Sequence, residues 1–256
     1  MNEQPNQFIT PSIEQPHDVL ELPSKGLYYP TKKGAVKIAF LNASDENILT
    51  SMNLMENGEM LDVLMDRKVL DRDLRPAQML DGDRMAILFF LRATGYGSIF
   101  PIKLTDPITK KQFDYDVDLT KIPLKENLLI PNEMGECEFM LPTVQKNVKF
   151  RFLSGGELKQ LMKEDDDRQA KLGKNSYSTL LTSKLAAQIQ EVDGVRNRGE
   201  ISMYVEQMSV KDSAALRKYI ADHEPGLDLK IEVTAPSGAR FQPSITITAE
   251  FFWPYL

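Results

Sequence analysis

Two histidines, His17 and His223, and one cysteine, Cys137, are the residues of this 256-residue chain best suited to nucleophilic or metal chemistry. A serine or cysteine nucleophile needs a base within hydrogen-bond reach. His17 falls in a proline-punctuated N-terminal stretch. His223 falls in a turn that ends a helix, where an imidazole is favourable beside the last carbonyls. Cys137, in the run GECEF, reads as a small buried hydrophobe. A single cysteine makes no intrachain disulfide, and with two remote histidines it cannot complete a four-ligand zinc site. Such cysteine usage fits a reducing cytoplasm.

Acidic clusters offer other chemistry. Asp114, Asp116 and Asp118 share one face of a strand, because side chains alternate at period two. That row could hold a hard cation or a basic partner; a solvated face over Phe113, Tyr115, Val117 and Leu119 is the simpler account. Glu164 to Asp167 lacks the glycine and the distal glutamate of a calcium loop and reads as a solvated insertion. Ser154-Gly155-Gly156 opens a helix whose free N–H groups could hold an anion. It lacks the Gly-rich pattern and Gly-Lys of a nucleotide loop, so capping suffices. The residues therefore assign no catalytic, cofactor or metal site. The C-terminus, Phe251-Phe252-Trp253-Pro254-Tyr255-Leu256, carries four aromatics, among them the only tryptophan. Alternation from Ile245 and Ile247 predicts that Phe251 faces the core of a closing strand and Phe252 the opposite side. Trp253 is a candidate anchor of that strand. Trp253, Tyr255 and Leu256 are candidate partner-binding residues, since such side chains dominate interface hot spots.

The elements that must position these residues read twice. Val36–Leu41 matches Val148–Leu153 at an offset of 112 residues, and Ile102–Pro107 matches Ile231–Pro236 at an offset of 129. The second offset also pairs Met79 with Met208, Asp83 with Asp212, Ala86 with Ala215 and Gly97 with Gly226. The predicted fold class is α+β: a tandem duplication of a strand–helices–β-hairpin unit with an extended N-terminal arm. The expected divisions are 1–21 as the arm, 22–122 as the first repeat, 123–140 as a proline-bearing linker, and 141–256 as the second repeat. The offset difference places an insertion of 17 residues near 164–178, which has no apolar period.

Within the first repeat, Asn42 or Ser44 caps a short helix. A helix led by Asp81 and Asp83, apolar nearly all round, ends near Gly95 and should be central. Within the second, Ser154 and Glu157 fit a capping box. Leu181, Leu185, Ile189 and Val192 read as one helical stripe, and Asp212 leads the helix that Pro225-Gly226 stops.

Composition bounds the function. Hydrophobic residues are 42% and charged residues 27%, as in soluble globular proteins. The longest apolar run, Met85 to Leu91, is too short to span a bilayer, and the N-terminus lacks a secretory pattern. Net charge is −6 and the pI about 5.2, with bases interspersed among acids; neither nucleic acid nor membrane is expected as a partner.

Leu22-Pro23-Ser24-Lys25-Gly26-Leu27-Tyr28-Tyr29-Pro30 resembles the LPSKG-x-x-YP opening of the baseplate protein family of T-even-type contractile-tailed bacteriophages. The helix from Asp81-Gly82-Asp83 to Leu91-Arg92, the following Gly95-Tyr96-Gly97, and the closing Phe251-Phe252-Trp253-Pro254 share the resemblance. It implies a late structural or assembly protein of the tail baseplate hub, not an enzyme and without a cofactor. Such a protein is made in the host cytoplasm, resides in the virion baseplate and binds other hub and tail proteins; self-association stays open. Tyr28 and Tyr29 join the tail residues as candidate partner contacts. Rival readings are a transient assembly chaperone or adaptor absent from the mature particle, and a carboxylate-based hydrolase. The resemblance also implies a CxxC pair at the hairpin turn; the positions here, 105–109 and 234–238, contain no cysteine.

Overall fold

The structure, a computed structural model, describes residues 15–173, 177–246 and 249–252. β1 (His17–Glu21) and β2 (Ala35–Ala39) form an antiparallel pair. Three short helices follow: α1 (Ala43–Leu49), α2 (Met52–Glu56) and α3 (Met60–Lys68). Asn42 caps α1 in a reciprocal box with Asp45. Asp45 is buried and pairs with buried Lys68, whose ammonium also donates to the Phe40 carbonyl. That pair fastens α1 to the end of α3. The chain returns to the sheet through a single bridge, Val69 to Ile38. α4 (Asp81–Tyr96) buries Ile87, Leu88, Phe89 and Leu91. It ends at Gly97 (φ 91°), two residues beyond the expected stop, because Gly95 is needed for a different reason: a Cβ there would lie 2.7 Å from the Leu41 side chain. β3 (Ile99–Thr105) and β4 (Gln112–Asp118) close this half as a hairpin.

The second half opens with β5 (Cys137–Met140) and β6 (Asn147–Phe150). The Ser154–Glu157 capping box starts α5 (Gly155–Leu172). α6 (Leu180–Gln188), β7 (Ile189–Val192), α7 (Arg198–Gln207) and α8 (Val210–His223) follow, then a short hairpin of β8 (Val233–Thr234) and β9 (Arg240–Phe241). The sheet order is β5-β6-β7, antiparallel throughout. One hydrophobic core runs through both halves.

Several expectations change. Residues 17–21 belong to the first sheet rather than to an arm, since Leu20 packs on the core and the strand pairs fully with β2; residues 1–14 lie outside the described residues. Glu164 to Leu172 continues α5. Buried Asp165 ties the end of that region down: it accepts from Arg168, Gln169, the Ser178 hydroxyl and the Thr179 N–H. Ile189 and Val192 leave the helical stripe because they are the buried residues of a strand, where β-branched side chains fit the pleat. Phe251 and Phe252 sit in a 3₁₀ turn, Ala249–Phe252, not in a strand. Both are therefore buried, and Phe251 packs against Phe89 and Phe100 of the first half rather than closing the second.

Candidate functional site

The opening motif is a lock over the N-terminus of α4. Leu22 and Ser24 are buried. The Ser24 N–H donates to one Asp83 oxygen at 2.8 Å, and the Tyr29 hydroxyl donates to the other. The Tyr29 oxygen in turn accepts from the Leu80 N–H at 2.8 Å, which satisfies an unpaired donor at the helix start. Lys25 (φ 51°) and Gly26 (φ 73°) reverse the chain in the left-handed region. Gly26 is required there, because a Cβ would stand 2.6 Å from the Lys32 carbonyl oxygen. Burial pushes the Asp83 carboxyl up, and burial together with Asp83 pushes the Tyr29 phenol up. The tyrosine is thus a buried, fixed neutral donor.

Tyr28 points elsewhere. Its hydroxyl donates to the Leu129 carbonyl at 2.6 Å, and its ring meets Phe152 edge-on, with centroids 5.0 Å apart. Tyr28 and Tyr29 line a cleft of about 310 Å³ with Pro30, Gln78, Met134 and Arg151. The cleft lies where the opening loop, the turn before α4, the 132–136 turn and the start of α5 converge. Arg151 and Glu157 form a bidentate pair on its wall, at 2.9 and 2.5 Å, and that pair, Arg151 foremost, holds the Glu157 carboxyl down to about 2. Met134 stands 69% exposed beside it. A paired ion couple next to apolar rim atoms can bind a surface but has no free base.

The halves also meet at their hairpin turns. Asp106 accepts from the Ile108 and Thr109 N–H groups in its own turn, and from the Ser237 N–H and hydroxyl in the other. Burial opposes its charge, but these donors outweigh it and hold the carboxyl down to about 2. This clasp, rather than a cysteine pair, joins the two turns. Its residues do not fit a metal: the one carboxylate is already filled by four donors, and among the described residues no three His, Cys, Asp or Glu side chains converge as a metal site.

The remaining candidates stand apart. Cys137 is buried, its thiol pushed up to about 11 by burial. His223 ends α8, with a ring nitrogen 2.8 Å from the Tyr219 carbonyl, and His17 lies on β1. Their ring nitrogens bond to the Tyr219 and Gln15 carbonyls, not to Cys137. Asp114 and Asp116 are exposed, whereas Asp118 caps the following turn. Trp253, Tyr255 and Leu256 lie outside the described residues.

The family described as T4 bacteriophage base plate protein matches residues 21–253. The chain belongs to that family. Comparison with curated proteins and with solved structures returned no significant match. Family membership makes this a phage tail baseplate protein, located in the virion tail and interacting with other baseplate proteins. The part of the site that composition alone did not reveal in this baseplate protein is the Ser24–Tyr29–Asp83 lock. One signal for it was present: Leu141-Pro142-Thr143 echoes Leu22-Pro23-Ser24, and the Thr143 N–H donates to Asp212 at 2.8 Å as the Ser24 N–H does to Asp83.

Proposed function

We propose that this chain is a structural or assembly protein of the baseplate hub, with no catalytic activity, acting by binding other hub and tail proteins. The family match over residues 21–253 carries the proposal. The cleft beside Tyr28 supports it: apolar rim atoms surround an ion pair, and the Glu157 carboxylate, which also accepts from the Ser154 hydroxyl, is committed to Arg151 and to capping α5. Tyr28 and Tyr29 act at its wall, Tyr29 through its backbone frame, and the tail residues Trp253, Tyr255 and Leu256 serve as further contacts. A self-associating form is part of the proposal.

We further propose a tandem duplication, in which each half runs hairpin, helices, aspartate-led helix, hairpin. The matched aspartate bonds of Asp83 and Asp212 support it. The extra residues of the second half then enter in two places: α6 lengthens the path to the third strand, and α7 replaces the Pro76–Gln78 turn before the aspartate-led helix. The divisions 22–122 and 141–256 follow, with the first extended back to β1.

The test is an inventory of purified particles by mass spectrometry, with affinity capture of the tagged chain from infected cells. Retention in particles together with capture of hub proteins is the expected result. Capture of hub proteins without retention in particles would replace the structural role by a transient assembly role. Absence of any baseplate protein from the capture would overturn the binding proposal.

A further inference from the structure

We propose that β1 is a self-complementary edge by which two copies of this chain join their sheets about a twofold axis. The inference stands on β1 alone and does not depend on the hub proposal. In the β1–β2 ladder the Phe40 N–H donates to the Pro16 carbonyl and the Leu22 N–H to the Gly34 carbonyl. With the register Val19 opposite Lys37, the even-numbered residues of β1 turn their backbone groups to β2. His17, Val19 and Glu21 turn theirs to the open side. Among the described residues, one bond reaches that side: the Asp18 carboxylate accepts from the Val19 N–H at 2.7 Å. Val19 itself is 56% exposed. An edge in this state is a template for another strand.

The sequence of the edge selects its occupant. A second β1 laid antiparallel and centred on Val19 sets valine against valine, and His17 of each copy against Glu21 of the other. Every N–H and C=O of these three residues that faces the open side then has a partner, the Val19 N–H exchanging its Asp18 bond for one across the edge. The side chains match as apolar with apolar and imidazole with carboxylate, both favourable across strands. Ala39 and Ala35 stand opposite His17 and Glu21 on β2, so small neighbours flank the charge pair. The contact is isologous and closes at two copies. The β3–β4 hairpin cannot do the same. Its open sides carry Pro101 on β3, which lacks an N–H, and Asp114 and Asp116 on β4, which would repel their own copies.

Sedimentation equilibrium of the full chain over a concentration series tests this. The wild type should show a reversible monomer–dimer equilibrium. Val19→Pro removes the open-side donor at the centre of the edge, with its Asp18 bond and the valine contact, while leaving the bonds to β2, and should give monomer. His17→Glu should weaken the dimer about tenfold or more, through two like-charge contacts. Adding Glu21→Lys to His17→Glu should restore it. A wild type that stays monomeric at its highest soluble concentration overturns the proposal. So does a dimer indifferent to Val19→Pro, or a double variant no stronger than His17→Glu. If circular dichroism shows that Val19→Pro has lost its fold, the charge exchange alone decides.

Discussion

Tyr29→Phe removes one oxygen and leaves two enclosed groups short of a partner, the Asp83 carboxylate and the Leu80 N–H. A buried group left unsatisfied costs about 1–3 kcal/mol. Chemical denaturation of Tyr29→Phe should show a loss of that size, with an unchanged m-value. An unaltered midpoint would show that water or a rotamer change replaces the hydroxyl. Acid sensitivity belongs to the same scale. Glu157 and Asp106 are each held down to about 2 in the fold. A carboxyl with a depressed folded pKa contributes stability above its ordinary value and loses it as pH falls toward the folded value. The contribution therefore disappears between about 4.5 and 2 for Glu157 and between about 3.8 and 2 for Asp106. Asp83 runs the other way: burial raises it, so its contribution grows as pH falls from its raised folded value toward the ordinary 3.8 and is constant below that. Urea midpoints measured at stepped pH should fall on acidification, and Glu157→Gln with Asp106→Asn should flatten the fall. Parallel slopes for wild type and double variant would contradict the assignment.

At the scale of elements, the C-terminal 3₁₀ turn is a strap across the first half. Phe251 is fully buried against Phe89, Phe100 and Phe252. Truncating a buried phenylalanine costs about 3–5 kcal/mol, so Phe251→Ala should lower the melting temperature clearly, and a calorimetric scan checks it. An unchanged melting temperature would mean that the strap is not part of the folded core. The start of α4 makes a second, tighter junction. A Cβ on Gly82 would lie 1.9 Å from the Pro225 carbonyl oxygen. The obstacle is backbone, so Gly82→Ala must separate α4 from the turn after α8, at more than the about 1–3 kcal/mol usual for overpacking. Denaturation with tryptophan-independent detection, such as far-ultraviolet dichroism, measures that loss. Full stability in Gly82→Ala would show that this approach is not maintained in solution.

For the whole molecule, the hairpin-tip clasp predicts composition. Asp106 and Ser237 join the two turns through hydrogen bonds alone, with the carboxylate already filled. Elemental analysis of purified protein should find no stoichiometric zinc. One zinc per chain would mean that ligands are recruited from outside these turns. Ser237→Ala deletes the hydroxyl bond and keeps the backbone N–H bond to Asp106, so it should weaken the association of the two hairpins, seen as faster hydrogen exchange in residues 105–109, without altering far-ultraviolet dichroism. Unchanged exchange there would show that the turns are held by other contacts.

Local chemistry settled much of this from the sequence. Asn42 with Asp45 and Ser154 with Glu157 are capping boxes because side chains three residues apart reach each other's backbone at a helix start. The apolar run in α4 had to be enclosed, and the LPSKG opening pointed to the family. Other assignments needed partners distant in sequence. Ile189 and Val192 continue a helical spacing, and only pairing with β6 makes them a strand. The last residues of the expected arm become β1 because β2 offers a ladder. Phe251 alternates like a strand residue, yet its pocket is supplied by α4 and β3. Asp83 reads as an ordinary first-turn acid, and its role as a buried acceptor exists only once Ser24 and Tyr29 close over it. Periodicity and caps act within a few residues and can be read along the chain; burial and long-range pairing depend on which surfaces meet, and only the tertiary structure decided that.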